Sequence, residues 1–436
     1  MADLKQLARR IFRDTLAAID IPETMRRKMQ REDTRIRCGS AVVDLREFRA
    51  LQVIAYGKAS HALAEGLAGV LGPEFPFAGI VSAPTAPQRP LAGLRYFTGG
   101  HPLPNEASLA AAQEILARVT GCEERTLLIF LLSGGGSALV EQLLMPGAAL
   151  ADVQALHQAL VTCGAPIDAM NAVRKHFSAV KGGRLAAAAP RATKLAYGVS
   201  DVPPGRESAL ASGPTIPDPT TCADAERVLA DYALREKLPP RIQEWLARNP
   251  LVETPKPGDP AFARSHFTLL LGMDDLFHSA QAAAEAAGCV VRCDNSTDDW
   301  PVRDAVDHLL AQLENLRAAH PGRRVALVAD GEVSSPVTGG GTGGRNAAFV
   351  LACVEKLAGR SVAVLSAGTD GIDGNSSAAG AVADGQTLAR ARAARLDPED
   401  AFRRSDSGTF FSQLGDALVT GPTGNNLRDL RILLAD

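Results

Sequence analysis

Short apolar runs recur along this chain, each separated from the next by a longer stretch with a different pattern. LQVIAY (51–56), AGIVSA (78–83), LLIFLLS (127–133), KLAYGVS (194–200), FTLLLG (267–272), CVVRC (289–293), RVALVAD (324–330), VAVLSAG (362–368) and DALVTG (416–421) have the length and β-rich content of strands. Between them lie alanine- and leucine-rich stretches such as KASHALAEGLAGVLG and DLFHSAQAAAEAAG, which read as helices. This order predicts an α/β fold with mostly parallel sheets covered on both faces. The passage LPPRIQEWLARNPLVETPKPGDPAF (238–262) breaks the order with prolines and has no clean period. It predicts a short helix and then a linker over about 246–261. The 436 residues therefore divide into two α/β domains, 1–245 and 262–436. A cleft between two such domains is the expected place for a substrate.

Charge narrows the partners. The net charge is −3 and the isoelectric point about 6.3, and arginines are interspersed with acids. No basic field is available for nucleic acid or an anionic membrane. The N-terminal MADLKQLARRIFRDTLAAID places Leu4, Leu7, Ile11 and Leu16 on an amphipathic helix, which is neither a signal peptide nor a membrane span. Cys38, Cys122, Cys163, Cys222, Cys289, Cys293 and Cys353 are odd in number and contain no C-x-x-C pair. They read as free thiols of a reducing, cytoplasmic compartment.

The chemistry-bearing stretches follow the strands. In VIAYGKASHAL (53–63), Lys58 stands where a strand passes into a helix, the end of an α/β sheet at which ligands and anions collect. The full phosphate-loop spacing is absent because residue 52 is Gln, and a surface lysine is the alternative. In LLIFLLSGGGSALV (127–140), a buried strand runs into Ser133, Gly134, Gly135, Gly136 and Ser137. Successive glycines let several N–H groups face one anion. A hydrolase elbow at Ser137 would need glycine where Leu139 stands. TGGHPLPNEAS (98–108) is a rigid loop presenting His101 and Asn105. NAVRKHFSAVKGG (171–183) reads as a helix with a basic face of Arg174, Lys175 and Lys181, or as a solvated surface. Asp201 ends the next strand.

PVTGGGTGGRN (336–346) has five glycines in six positions, and Gly339, Gly341 and Gly344 fall at dinucleotide-binding spacing. That fingerprint needs its first glycine at the strand end. Here the strand ends near Asp330, well before Gly339. The stretch reads instead as a phosphate or substrate loop, with Gly341, Gly343 and Gly344 lending N–H groups and Arg345 capping an anion. Thr369, Asp370 and Asp373 lie at the end of another strand, where acids among glycines suit Mg²⁺ or form Asp-Gly turns.

Together, YGKAS, GGHPLPNEAS, LLSGGGSAL, NAVRKHFSAVKGGRLA, SDVPPGRESALASGPTIPDPTT, GGGTGGRN, TDGIDGNSSAAGAVADG and LVTGPTGNNLRDLRILL resemble the class II glycerate 2-kinases. Members have often been labelled hydroxypyruvate reductase. The resemblance runs from about residue 5 to the C-terminus. It implies a Rossmann-like N-terminal domain and a C-terminal MOFRL domain, with the active site in the interdomain cleft. It implies ATP and Mg²⁺ as cofactors, D-glycerate as the small-molecule substrate, and 2-phosphoglycerate as product. Lys58, Arg345, Asp201 and Asp370 match the family's catalytic positions. Asp201 and Asp370 are the metal candidates, and one of them would take the proton of the 2-hydroxyl. The family's loop commonly carries lysine and arginine where Gly340 to Thr342 stand, which leaves Arg345 as the loop's cation. Lys58 and Arg345 would neutralise the charge of a loose phosphoryl-transfer state. Arg174, Lys175 and the SGGGS loop would hold the substrate carboxylate or the ATP phosphates. A homodimer is common among kinases of this size. The alternative activity is an NAD(P)H-dependent hydroxypyruvate reductase with His101 as acid, and a non-catalytic sugar-acid sensor is a third reading.

Overall fold

A computed structural model describes residues 3–200, 202, 205–425 and 427–436. The chain forms two compact units, residues 21–272 and residues 1–20 with 273–436.

The 21–272 unit begins with a small antiparallel sheet of β1 (Gln30–Glu32), β2 (Arg35–Cys38) and β3 (Ala41–Asp44). Its main sheet comprises β4 (Ala50–Tyr56), β5 (Ala78–Ala83), β6 (Leu94–Thr98), β7 (Thr126–Ser133), β8 (Thr193–Val199) and β9 (Ser265–Leu271). The spatial order is β6-β5-β4-β7-β8-β9 and every pairing is parallel. Counted from β4 this is the doubly wound order 3-2-1-4-5-6, as a Rossmann-like domain requires. The chain leaves β4 toward one edge and β7 toward the other. The carboxyl ends of these two strands therefore flank the switch point where such sheets bind ligands. β7 is buried at every position, matching its unbroken apolar run. Ile54, Ile80, Leu128, Phe130 and Leu132 pack with Ile115 and Val119 of the helix Glu106–Thr120. A helical lobe builds a second core around Leu156, Val173, Phe177, Leu229 and Ile242.

The other unit holds β10 (Val290–Asp294), β11 (Val325–Asp330), β12 (Val362–Gly368), β13 (Gly380–Asp384), β14 (Ala417–Leu418) and β15 (Asp429–Ala435). The order is β10-β11-β15-β12-β13-β14. Only β10 and β11 pair in parallel, so this sheet is mixed rather than mostly parallel. β15 threads between β11 and β12 and runs against both. Its first residue thus lies level with the carboxyl ends of its neighbours: Asp429 opposes Gly368, and Leu430 opposes Asp330.

The unit boundaries differ from the expected 1–245 and 262–436. FTLLLG was expected to open the second domain, but β9 pairs along β8 and closes the first sheet. The proline-rich passage lies inside the 21–272 unit. Leu246 and Leu251 are buried in its helical lobe, and Thr254 Oγ1 bonds Asp218 Oδ2 at 3.0 Å. The N-terminal helix Leu4–Ala18 joins the mixed-sheet unit, burying Leu4, Leu7, Ile11 and Phe12 and pairing Lys5 Nζ with Asp416 Oδ2 at 2.7 Å. Sequence order hides both returns because strand pairing and helix docking connect distant positions. Among the described residues, no helix is long and apolar enough to cross a membrane.

Candidate active site

The β4 and β7 strand ends are tied together. Lys58 N donates to Gly134 O at 2.9 Å, and Ala59 N donates to Ser133 Oγ at 2.9 Å. Ser133 is fully buried, so its hydroxyl is a brace between two loops and not a group offered to a ligand. Gly135 has φ +81, and a methyl group there would lie 2.9 Å from His101 Cδ2 and 3.4 Å from Lys58 Cγ. The structure therefore brings Lys58, His101 and Gly135 together. Loss of hydration lowers the His101 pKa, and the Lys58 charge lowers it further, so the ring favours its neutral form.

The N–H groups of Gly134, Gly135, Gly136 and Ser137 make no hydrogen bond to another described residue. Four successive donors beside Lys58 form a surface suited to anions. Next to them, Ser137 Oγ meets Ser212 Oγ at 2.8 Å, Ser212 Oγ donates to Asn171 Oδ1 at 3.2 Å, and Arg174 Nη1 donates to the same oxygen at 3.4 Å. Arg174 Nε is buried and has no hydrogen-bond partner among the described residues. Burial lowers the Arg174 pKa, and Glu141 opposes that shift.

The remaining expected groups of this unit are committed elsewhere. Asn105 caps the helix Glu106–Thr120, accepting from Ser108 N at 2.9 Å and donating to Thr98 O at 3.1 Å. Lys175 is buried and pairs with Asp218 Oδ1 at 3.0 Å. Lys181 is buried against Glu141 Oε2 at 2.5 Å. The expected basic helix face is therefore not a surface. Its two lysines point inward because a partner carboxylate awaits each. Asp201 lies outside the described residues.

In the mixed-sheet unit, Arg345 opens the helix Arg345–Leu357. Its Nε meets Asp429 Oδ2 at 2.5 Å and its Nη2 meets Glu332 Oε1 at 2.7 Å. Burial acts to lower the guanidinium pKa, but these two carboxylates outweigh it and the net shift is upward. A methyl group at Gly368 would lie 3.0 Å from Asp370 Oδ1 and 3.4 Å from Asp429 Oδ1. Arg345, Asp429 and Asp370 thus gather where β12 ends and β15 begins. Asp370 Oδ1 accepts from Ile372 N at 3.0 Å and the residue is only half-buried. Thr369 is buried, its Oγ1 accepting from Leu427 N at 3.0 Å, and so is not presented.

The glycine-rich stretch behaves differently from the expected phosphate loop. Gly341 N donates to Arg404 O at 3.1 Å, Thr342 N to Asp406 Oδ1 at 3.0 Å and Gly343 N to Asn375 Oδ1 at 2.8 Å. Asp373 lies under the start of the following helix. Its Oδ1 accepts from Asn346 N at 3.0 Å and its Oδ2 from Ala347 N at 2.8 Å. The helix terminus that would meet a phosphate is thus taken by a side chain of the same unit. A methyl group at Gly344 would sit 2.3 Å from Asp373 Oδ1, so this glycine permits the close approach. β11 ends at Asp330 with no glycine of the fingerprint at its tip. Neither a pyrophosphate at this terminus nor a loop of free N–H groups fits these contacts.

A family model described as a domain of unknown function (DUF4147) matches residues 7–247, and one described as the MOFRL family matches 325–429. A D-glycerate 2-kinase of Thermotoga maritima is 33% identical, over 87% of this chain and 89% of its own. A putative hydroxypyruvate reductase of Agrobacterium vitis is 37% identical, over 88% and 86%. The crystal structure of a glycerate kinase from Thermotoga maritima superposes with a TM-score of 0.84 and 31% identity, covering 99% of both chains. The chain belongs to the class II glycerate kinase family. In this glycerate kinase family member, the resemblance led to Arg345 and Asp370 but not to the groups that hold them. Asp429, Glu332, Asp298 and Arg428 were missed. Arg428 pairs with Asp298 Oδ2 at 2.5 Å, and Asp298 Oδ1 accepts from Glu332 N at 2.8 Å. Asp330 was used only to mark a strand end. It is fully buried, and neither carboxylate oxygen has a hydrogen-bond partner among the described residues. Burial pushes its pKa up to about 6 against the pull of Arg428. Its position at a strand end was the available signal.

Proposed function

We propose that this protein is an ATP-dependent glycerate 2-kinase, moving the γ-phosphoryl of ATP to the 2-hydroxyl of D-glycerate. The observation that carries the reading is the donor-rich surface at the β4/β7 switch point: Lys58 and four N–H groups that make no hydrogen bond to another described residue. Such a surface suits phosphate and carboxylate oxygens. The relatives named as glycerate kinases support the choice of reaction.

Lys58 counters charge on phosphoryl oxygens, and the Gly134–Ser137 N–H groups orient them. Arg174 adds positive charge beside the Ser137, Ser212 and Asn171 contacts. Arg345 is held in one orientation by Asp429 and Glu332, so little rearrangement is needed when negative charge develops beside it. Asp370 is half-buried with a carboxylate at a strand end, a donor type that suits Mg²⁺, which takes one or two carboxylates and keeps its waters. Mg²⁺ would supply charge neutralisation on the phosphates. The family resemblance gives metal holding or acceptance of the hydroxyl proton to Asp370 and to Asp201. His101 favours its neutral form and serves as a hydrogen-bonding wall beside Lys58. The free cysteines are in keeping with a cytoplasmic site of action.

The test supplies ATP, Mg²⁺ and D-glycerate and identifies the product by ³¹P NMR. The expected product is 2-phosphoglycerate, absent with Lys58→Ala. Oxidation of NADH or NADPH with hydroxypyruvate, with no phosphorylated product, would overturn the reading in favour of a reductase.

A further inference from the structure

A second cluster of reactive side chains lies within the 21–272 unit, apart from the residues above. His176 lies in the last turn of the helix Ile167–Phe177, Cys222 starts the helix Cys222–Asp231, and Glu253 lies two residues after the buried Leu251. One ligating atom from each lies within 4.8 Å of the other two. We propose that His176 Nε2, Cys222 Sγ and Glu253 Oε1 form a binding site for a divalent transition metal of the zinc type, with the fourth position left to water.

The His176 ring carries the argument. Its Nδ1 lies 2.7 Å from Ala172 O, a carbonyl that can only accept, so Nδ1 bears a proton. Its Nε2 lies 3.1 Å from Glu253 Oε1, another acceptor. The side chain is fully buried. In the neutral ring two lone pairs would face each other across that gap, so a cation belongs there. A second proton supplies one, and a metal ion supplies it while also recruiting Cys222. Histidine ligands commonly donate their other ring N–H to a backbone carbonyl, which is the Nδ1 contact seen here.

The spacing and chemistry agree. Zinc-to-ligand bonds of about 2.0–2.3 Å at tetrahedral angles put ligand atoms roughly 3.3–3.6 Å apart. The Nε2–Oε1 gap of 3.1 Å is close to that, and Cys222 Sγ lies within 4.8 Å of both partners. Its present contact, to Leu251 O at 3.4 Å, is long. Imidazole, thiolate and carboxylate select zinc-like ions over Mg²⁺. Cys222 loses its thiol proton to the solvent on binding, and the His176 Nδ1–H stays on Ala172 O. Lys256 is the competitor, with its Nζ 2.6 Å from Glu253 Oε1. It has other acceptors to fall back on, Thr254 Oγ1 at 2.7 Å and Thr220 O. The ion would clamp two helix ends to the 251–255 segment.

The probe is Co²⁺ added to the full chain after chelator dialysis, followed by Zn²⁺ competition. The expected result is a tetrahedral visible spectrum with a thiolate-to-cobalt band, at one ion per chain, displaced by Zn²⁺. Cys222→Ser should abolish that band. His176→Gln should weaken binding by about tenfold or more. Lys256→Met should tighten it several-fold, because it removes the competing ammonium and leaves the ligands in place. No thiolate band, a band that survives Cys222→Ser, or unchanged or weaker binding in Lys256→Met would overturn the site. The Lys256→Met and Cys222→Ser arms decide the matter even if His176→Gln fails to fold. None of these readouts depends on kinase activity.

Discussion

Two glycine-rich stretches look alike in this sequence and do opposite things in the fold. Gly134–Gly136 follows the buried strand β7 at the switch point of a parallel sheet, and its N–H groups make no hydrogen bond to another described residue. The stretch at 339–344 spends the N–H groups of Gly339, Gly341, Thr342 and Gly343 on Ser405, Arg404, Asp406 and Asn375, and the helix after it is capped by Asp373. An anion site needs donors left over after folding. Glycine content supplies only the close backbone approach, which serves a ligand in one loop and a neighbouring segment in the other.

That contrast can be broken by substitution. The largest effect is expected at Lys58, where Lys58→Ala should lower kcat by about 10²–10³-fold while the thermal midpoint stays near that of the parent. An unchanged kcat would remove the first loop from the chemistry. Gly135→Ala should also cost activity steeply, since φ is +81 and the new methyl would press on His101. Its loss should appear in steady-state kinetics at a temperature where circular dichroism shows a folded chain.

Two acids in the mixed-sheet unit allow a stability test. Burial first, with neighbouring acids, raises Asp330 and Asp373 from 3.8 to about 6 in the fold. The folded state then binds more protons than the unfolded state between those values, so stability falls as pH rises from about 4 to 6. Above pH 6 each raised value costs up to about 3 kcal/mol. Asp330→Asn should therefore raise the unfolding midpoint at pH 8 and change it little at pH 4. Denaturant melts at both values check this, and an equal change at the two would contradict it.

Smaller effects separate the second loop from the first. At pH 4, where the raised pKa carries no cost, Asp373→Ala removes the acceptor from Asn346 N and Ala347 N and should destabilise by about 1–2 kcal/mol. Gly340→Ala meets nothing within 4 Å and should leave both activity and stability within about 0.5 kcal/mol of the parent. A large loss of activity at Gly340 would restore this loop as a phosphate cradle.

Several features were legible in the residues alone. The runs at 78–83 and 362–368 coincide with β5 and β12, because a continuous apolar run between turns has few other uses. Lys58 and the SGGGS loop were found from their place after strands, and the fold puts them side by side. β6, with its exposed and half-buried residues, left no such trace, nor did β13 and β15 at 380–384 and 429–435. Asn105, Lys175 and Asp373 resemble ligand groups in the sequence because polar residues near glycines look the same whether they face a ligand or a helix end.

Sequence by itself determined the family, the α/β class, the strand-end lysine and the candidate reaction, since these rest on residue order and local pattern. Tertiary structure decided which polar groups remained available. Pairing of β9 with β8 moved a domain boundary, and β15 brought Asp429 to Arg345. Asp218 withdrew Lys175, and Asp373 closed the helix terminus. Each outcome depends on a partner distant in the chain, and a buried polar group takes whichever partner the packing brings within reach.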